Sequence, residues 1–490
     1  MPWPVAQDWR DERIAELEAA LAASEARNAA KDARIAELEQ RVAELSKQLA
    51  ELAEKLRQNS RNSHRPPSSD PPAARRQRRG KGKSKSKRKR GAQPGHRPAL
   101  RGLLPPEEVD ATVHLFPSHC EGCAKPLPEV PDANAMRFQV TEVPLVKPHT
   151  TEYRRHTVRC SCGHLTCAVH DQQPASPFGP RLMALVALLT GVYHLSRRKA
   201  AELLSDMAGV RISVGAISNV EARVSTAVQP AVEVAWERVR QAEVKHTDGT
   251  SWFQSGLSRA LWTIATATAT VFKIVVDGSK QTLAPLYGAL HGILVSDRAK
   301  SLNFWAMEHR QICWAHLVRK FVSFAERDGP AGSLGRELLD YTGLVFEYWH
   351  DYKDGKLDRD RFIAWMAPVR LQVQAALQRA VDAELGHVSG SCADVLAHAP
   401  ALWTFVDREG VDPTNNHAER ELRAFVLWRK RCFGTQSERG NLFAERLMTV
   451  AHTARKQRRH VLTFLTACCQ AQLDDGPSPS LFEAPAALSA

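Results

Sequence analysis

The sequence predicts a multidomain α/β protein with a mixed β-sheet core, and three observations lead to this fold class. At 490 residues the chain is too long for a single hydrophobic core. Between residues 241 and 320, β-rich runs alternate with helical periodicity, whereas residues 14–56 repeat apolar side chains on three- and four-residue steps. Ten cysteines, five of them from Cys120 to Cys167, indicate a separate metal-organised segment.

An apolar heptad pattern near the N-terminus predicts a coiled-coil helix. Its apolar positions are Ile14, Leu17, Leu21, Ile35, Leu38, Val42, Leu45, Leu49, Leu52 and Leu56. With Ile14 as an a position, the e positions are acidic (Glu18, Glu25, Asp32, Glu39) and the g positions are basic (Arg27, Arg34, Arg41). Because rows of opposite charge attract across a parallel seam, we predict a parallel homodimer, with Asn28 fixing its register. The alternative is a single amphipathic helix that packs on the rest of the chain.

A basic segment rich in Pro and Ser follows the heptads. Residues 59–97 have the composition of a disordered linker, and residues 75–90 alone carry eleven Lys and Arg, against a net charge of +13 for the whole chain. Such a cluster neutralises phosphates without reading bases, which predicts salt-sensitive DNA binding; a solubilising tail is the alternative. We find no secretory signal and no apolar run that could span a membrane, so we expect a cytoplasmic protein.

Two cysteine pairs predict a structural zinc site. Cys120 and Cys123 form a standard knuckle, and Cys160 and Cys162 form a second pair further along the chain. Four thiolates on turn-forming sequence suit tetrahedral zinc, which would organise a segment that has little apolar core. Free structural cysteines are the alternative.

The fourth zinc ligand is left open by the spacing of the second pair. Only one residue separates its cysteines instead of two, so His164 or Cys167 is an alternative ligand. Between the two pairs, residues 138–146 and 151–160 alternate in a strand-like way, which predicts strands.

Helical periodicity returns after Pro180 and predicts a helix-turn-helix. An apolar helix around 182–193 is followed by a helix over 198–207, a turn at Gly209, and a helix that Ser213 would cap. The second helix of such a motif can enter the major groove of DNA, and an ordinary helical hairpin is the alternative.

Residues 245–316 carry the elements of a ribonuclease-H-like mixed sheet. Lys245–Trp252 and two further β-rich runs are followed by a helical stretch, a strand that ends at Asp297, and a short strand over 311–316. In a ribonuclease-H-like sheet of this order, Asp248 on the first strand and Asp297 at the end of the fourth are neighbours. Both carboxylates would then face one cleft.

Carboxylates that share a cleft predict a divalent-metal site. Mg²⁺ prefers carboxylate oxygens, and two such ions can activate the attacking oxygen and stabilise the leaving one at phosphorus. Glu419, within residues 413–423, is the first candidate for a third carboxylate, with Glu421 and Glu445 as alternatives. Asn416 followed by Glu419 also resembles a capping box, which would make Glu419 structural.

These motifs resemble those of the insertion-sequence-66 transposase family. The resemblance rests on HTDGTSW, GILVSDRAKSL, CWAHLVRKF, PTNNHAERELR and WRKRCFGTQSERG, in that order behind a leucine zipper and a cysteine knuckle. It extends over nearly the whole chain and implies an interrupted DDE domain, with Asp248, Asp297 and Glu419 as an acidic triad for two Mg²⁺ or Mn²⁺ ions. The chain departs from the family at Gly249, where an acidic residue is common, and in residues 298–302, which lack the usual aromatic side chain.

The resemblance also implies an inserted helical subdomain, which completes the predicted domain order. The predicted segments are a coiled coil (1–57), a disordered basic linker (58–100), a zinc-binding domain (101–175), a helix-turn-helix-like region (176–240), the first part of the catalytic domain (241–320), the helical insertion (321–410), the second part of the catalytic domain (411–472) and a disordered tail (473–490). We expect His316 and Trp428 to be core side chains; the alternatives are contact of His316 with DNA or a phosphate near the metals, and base stacking by Trp428. The basic residues around the Glu419 helix would either hold DNA phosphates or be solvated: Arg420, Arg423, Arg429, Lys430 and Arg431.

The function that the resemblance implies is that of a DNA transposase. Two protomers would bind the ends of a mobile element, cleave a strand with metal-activated water, and join the freed 3′-hydroxyl to target DNA. The expected partners are these DNAs, a second copy of the chain and accessory element-encoded proteins, with no membrane partner, and the expected location is the nucleoid. A catalytically silent DNA-binding regulator and a structure-specific nuclease are the alternative functions.

Overall fold

The computed structural model describes residues 8–63, 70, 102–168, 174 and 176–482. The basic cluster over 75–90, on which the prediction of phosphate binding rests, lies outside these residues. Contacts divide the chain into two compact units: Met1–Gly80 with Gln311–Thr414, and Lys81–Arg310 with Asn415–Ala490. The three candidate triad residues all belong to the second unit.

The elements that precede the sheet are mostly helical. They are the helix α1 (Asp8–Arg57), the strands β1 (Thr157–Arg159) and β2 (Leu165–Cys167), and the helices α2 (Pro180–Ala187), α3 (Arg197–Ala208), α4 (Val214–Ala227) and α5 (Gln229–Gln241), with a π-helical turn over Leu188–Val192 after α2. The predicted turn and cap are confirmed. Gly209 ends α3 with φ of 62°, and the Ser213 hydroxyl accepts the Ala216 N–H at the start of α4.

The strand predicted over residues 138–146 is wrong. These residues have no regular secondary structure and nearly all are exposed, and of residues 151–160 only Thr157–Arg159 form a strand. An alternating pattern specifies a strand only where one face is buried against the rest of the protein. No side chain in this segment is buried, so the alternation has nothing to pack against.

A mixed β-sheet lies at the centre of the second unit. Its elements are β3 (Val244–Gln254), β4 (Leu257–Ala265), β5 (Thr270–Val275), the helix α6 (Lys280–Tyr287), β6 (Ile293–Ser296) and β7 (Arg310–Ile312), with the strand order β5-β4-β3-β6-β7. β3, β4 and β5 are antiparallel, whereas β3 and β6 are parallel. The predicted mixed α/β class is confirmed. Ser255 and Gly256 join β3 to β4 with positive φ at both positions, as a two-residue hairpin turn requires.

The remaining regular elements of the described chain, apart from short 3-10 turns, are helices. They are α7 (Trp314–Ala325), α8 (Gly329–Lys353), α9 (Arg359–Asp382), α10 (His387–Ala397), α11 (Ala399–Leu402), α12 (Thr404–Asp407), α13 (Asn416–Cys432), α14 (Glu438–Lys456) and α15 (Val461–Leu473). The strand expected over 311–316 is therefore wrong beyond Ile312, and His316 lies in the first turn of α7. None of the helices within the described ranges is both long and apolar enough to cross a membrane.

Aromatic packing joins α13 to the sheet. Trp252 of β3 contacts Phe425 and Trp428 of α13 at ring distances of 5.4 and 5.9 Å, and Phe272 of β5 lies 4.8 Å from Phe425. All four rings are buried, so the prediction that Trp428 is a core side chain is confirmed. Rings of this size contribute much of the buried apolar area of a core. This packing fixes α13 over one face of β3.

Candidate active site

The register of β3 and β6 determines where the two aspartates lie. Val244, Lys245 and His246 pair with Ile293, Leu294 and Val295 in parallel. Continued by two residues, this register brings Asp248 beside Asp297, the residue that follows the end of β6. Neighbouring strands are about 4.8 Å apart, and matched residues of parallel strands point to the same face. Both side chains are partly buried.

A buried arginine holds the turn that carries Asp297. Arg310 donates hydrogen bonds to the main-chain oxygen of Asp297 at 3.0 Å, to Ser296 Oγ at 3.2 Å and to Asn303 Oδ1 at 3.1 Å. Burial lowers the pKa of Arg310, and the charge of Asp297 opposes this shift. The Asp297 carboxylate also accepts the Ala299 N–H at 2.9 Å. These contacts limit the directions in which Asp297 can point.

The packing of Gly249 explains one departure from the family pattern. Gly249 pairs with Trp262 across β3 and β4, and a Cβ at this position would lie 2.8 Å from the Trp262 ring. An acidic side chain there would have to displace the indole. Trp262 therefore covers the face of β3 opposite to Asp248. The Asp248 carboxylate accepts the Gly249 N–H at 2.9 Å.

Glu419 lies on α13, near the end that is tied to β3. Asn415 Nδ2 donates to the Thr247 main-chain oxygen at 2.7 Å, one residue before Asp248, and the Glu419 N–H donates to the Asn415 oxygen at 3.2 Å. His417 of α13 lies over His246 at a ring distance of 5.0 Å. Because side chains alternate along a strand, His246, Asp248 and Trp252 share the face that α13 covers. One carboxylate oxygen of Glu419 is buried.

The capping-box interpretation of Glu419 is wrong. The residue that precedes α13 is Asn415 rather than Asn416, and its side chain makes no capping hydrogen bond to the helix. It bonds to β3 instead. The sequence could not distinguish a cap from a tether, because Asn serves both roles.

The two alternative carboxylates, those of Glu421 and Glu445, are already paired with other groups of the protein. Glu445 of α14 accepts the Ile274 N–H at 2.7 Å and lies 2.9 Å from Lys273 Nζ. Burial raises the pKa of Glu445, and Lys273 opposes this rise. Glu421 is surrounded by His452, Lys456 and His417. Neither carboxylate can bind a metal ion without losing these partners.

The three carboxylates are too far apart to bind one ion without moving. In the described part of the chain, the ligand oxygens of Asp248, Asp297 and Glu419 do not all lie within 4.8 Å of one another. The register places the two aspartates side by side, and α13, which carries Glu419, covers the same face of β3; a shared ion would also require side-chain movement.

A row of hydrogen bonds from α14 to the sheet edge was not predicted from the sequence. Glu445, Thr449 and Thr453 accept the main-chain N–H groups of Ile274, Phe272 and Thr270, respectively. Four helical residues rise about 6 Å, close to the roughly 6.7 Å of two strand residues, so the two series stay matched. The available signal was hydrogen-bonding side chains at four-residue spacing on the apolar face of an amphipathic helix. These side chains cover the free edge of β5.

The basic residues of α13 differ in what they contact. Arg429 donates to Thr250 Oγ1 at 3.2 Å and to the main-chain oxygen of Ser251, so it ties α13 to β3. Arg420, Arg423 and Lys430 are exposed. Arg429 thus has a structural contact that was not expected from the sequence, and phosphate binding by these basic residues stays a prediction.

Each predicted zinc pair forms a knuckle-like turn. The Cys120 and Cys160 N–H groups donate to the Lys125 and His164 oxygens at 2.9 and 2.8 Å. Hydrogen bonds from the Gly122 and Cys123 N–H groups lower the pKa of the Cys120 thiol. The Cys162 N–H has the same effect on Cys160. In residues 102–168, no three of the candidate ligands have ligand atoms within 4.8 Å of one another.

The comparisons with known proteins identify the family. A model of the transposase IS66 family matches residues 175–442, which include the sheet, both aspartates and Glu419. A family of unknown function matches residues 3–101. No curated protein matches the chain. Since the first match covers more than half of the sequence, the chain belongs to the IS66 family of transposases, enzymes that bind DNA and cleave and transfer its strands.

Proposed function

We propose that this transposase binds the ends of its mobile element and cleaves and joins DNA at a ribonuclease-H-like DDE site formed by Asp248, Asp297 and Glu419. The proposal is carried by the register of β3 and β6, which continues into adjacent positions for the two aspartates on the face under α13. Acidic side chains are rarely set side by side in a protein interior unless they bind a cation or share a proton.

The donor set suits divalent cations. Family membership suggests divalent-metal dependence, and two Mg²⁺ or Mn²⁺ ions, when bound, would supply charge stabilisation for the attacking and leaving oxygens of an in-line displacement. Asp248 and Asp297 would hold the ions from the sheet, and Glu419 would hold them from α13. Arg310 keeps the Asp297 turn in place, and Asn415 keeps the start of α13 against β3.

DNA recognition is assigned to regions outside the triad. The α3–α4 helix-turn-helix presents exposed Arg211, Asn219 and Arg223, which suit phosphate and groove contacts. The knuckles at Cys120, Cys123, Cys160 and Cys162 would bind structural zinc, and residues 75–90 would add nonspecific phosphate binding. Action on element DNA implies a cytoplasmic, nucleoid-associated protein.

The helix α1 is assigned to dimerisation. The ten apolar heptad side chains are between 45% and 83% exposed in the single chain. An uncovered apolar stripe of this length, with acidic e and basic g rows, fits a second copy in a parallel coiled coil.

Strand cleavage of element-end DNA tests the proposal. We expect the full-length protein with Mg²⁺ or Mn²⁺ to nick an end duplex at the element boundary and to join it to a target plasmid. Replacing Asp297 with Asn or Glu419 with Gln should slow cleavage about 10³-fold, since a lost metal ligand removes several kcal/mol of transition-state stabilisation. Binding of the duplex should change little.

A matched control and the opposing outcomes complete this test. Glu237→Gln removes an exposed carboxylate on α5 and should cleave like the wild type. Cleavage by Asp297→Asn at the wild-type rate would refute the triad. Binding without cleavage by the wild type would instead favour a regulator, and cleavage without joining would favour a nuclease.

A further inference from the structure

Four ionisable side chains meet between α13 and α14 and are not part of the triad: His417, Glu421, His452 and Lys456. Glu421 Oε1 lies 3.2 Å from Lys456 Nζ and 3.6 Å from His417 Nε2, and Glu421 Oε2 is hydrogen-bonded to His452 Nδ1. None of the four side chains is more than 22% exposed. Burying such groups is costly unless they are paired.

The contacts assign the charges of this cluster. The Lys456 ammonium can only donate, and it reaches Glu421, the Thr266 main-chain oxygen at 2.6 Å and His417 Nε2 at 2.8 Å. Burial opposes ionisation of Glu421, but His417, His452 and Lys456 outweigh this and hold its pKa well below the ordinary value. The cluster is a buried ion pair flanked by two imidazoles.

The path of the chain explains why α13 needs such a contact. The chain leaves the sheet unit after Arg310 and returns at Asn415, directly before α13. No strand of this unit leads into α13, so side-chain contacts must fix its position. Besides the aromatic packing on Trp252, polar contacts occur at three levels: Asn415 before the helix, Glu421 in its second turn and Arg429 near its end.

The helix α14, against which α13 is positioned, is itself bonded to the sheet. Glu445, Thr449 and Thr453 bind it to the edge of β5, and the last two side chains are fully buried. Lys456 extends the same row, because it donates to the Thr266 main-chain oxygen at the β4–β5 turn. Glu421 thereby connects α13, through Lys456 and His452, to the sheet itself.

We propose that Glu421 is a positioning residue, whose pairing with Lys456 and His452 sets α13 against the sheet and so holds Glu419 toward the two aspartates. Glu419 and Glu421 are two residues apart, about 3 Å along the helix axis. A small shift of α13 thus moves Glu419 by a similar amount. This inference rests on the proposed DDE function of Glu419.

The test compares two buried glutamates that lie on different sides of α14. Glu421→Gln removes the charge through which α13 pairs with Lys456 and His452 of α14. Glu445→Gln removes a lysine-paired charge on the β5 side of α14 but keeps a side-chain oxygen that can accept the Ile274 N–H. We expect Glu421→Gln to lower kcat for end cleavage about 100-fold, because a displacement near 1 Å has this effect on a reacting group. KM for the end duplex should stay within about twofold, since DNA contacts are unchanged.

Two further readouts separate positioning from stability. Hydrogen exchange at residues 416–420 should rise in Glu421→Gln but not in Glu445→Gln, whatever the loss of Tm in each. Lys456→Gln should reproduce the kcat loss, and Lys456→Arg, which keeps the charge, should restore part of it. These substitutions keep the inference testable if Glu421→Gln does not fold.

The outcomes for the inference and for the proposed function are distinguishable. If Glu421→Gln and Lys456→Gln cleave as fast as Glu445→Gln, with equal exchange over residues 416–420, the positioning role is refuted while the triad stands. If the wild type fails to cleave, or Asp297→Asn cleaves normally, the DDE assignment fails and this inference fails with it.

Discussion

The sheet region and the cysteine segment differ in what can hold them in place. From Val244 to Ser296 most strand residues are buried or partly buried, whereas no side chain over residues 102–168 is buried. In the sheet region, packing and main-chain pairing fix each polar residue. In the cysteine segment those forces are weak, so the proposed zinc ion would supply most of the order. Under the proposed function, the chain would use metal in two ways: for chemistry in the rigid sheet region and for folding in the cysteine segment.

Removal of zinc should have the largest effect. A structural zinc site contributes about 10–16 kcal/mol to folding, so Cys120→Ser or a chelator should unfold residues 102–168 while the sheet region keeps its thermal transition. Metal analysis together with limited proteolysis would measure this. Unchanged proteolysis of residues 102–168 after complete removal of metal would contradict the prediction.

Single substitutions in the same segment identify the remaining ligand. Cys160→Ser should lose zinc if this thiolate binds it. Cys162→Ser and Cys167→Ser form a matched pair: the variant that keeps one zinc per chain identifies the cysteine that is not a ligand. Retention by both would favour His164 as the alternative.

An effect of intermediate size is expected at the edge of the sheet. Thr449→Val keeps the shape of the side chain but leaves the buried Phe272 N–H without its acceptor, which should cost about 1–3 kcal/mol. Denaturant unfolding of the variant measures this cost. Thr226→Val, at an exposed position of α4, should change stability by less than about 0.5 kcal/mol. Equal stability of the two variants would show that the α14 row is not structurally important.

The smallest effect concerns α1, a second region in which none of the described side chains is buried. In a parallel dimer Arg34 of one helix faces Glu39 of the other, so Glu39→Arg should weaken dimerisation by about 0.2–1 kcal/mol. Sedimentation equilibrium measures the change. Combining it with Arg34→Glu should restore the wild-type affinity; a monomeric wild type would refute the dimer.

Much of the sheet and its acidic residues could be predicted from the sequence, because each depends on local pattern. β-rich runs and turn residues indicated β3 to β6, and both aspartates followed from the strand order. The location of His316 was not predictable, since a short apolar run before a helix is compatible with strand or helix. The contacts of Asn415, Glu421 and Arg429 depend on residues far away in sequence, which a single chain's pattern does not specify. In the cysteine segment, the alternating pattern of residues 138–146 predicted a strand that does not form, because no side chain there is buried.

Manganese bound to a crystal of the protein with its end DNA would test the central claim most directly. Anomalous scattering locates the ions without reference to activity. The account predicts two peaks, both within ligand distance, roughly 2.0–2.4 Å, of carboxylate oxygens from Asp248, Asp297 and Glu419. The account would be contradicted if the aspartates coordinated both ions while the Glu419 carboxylate lay beyond ligand distance of either ion.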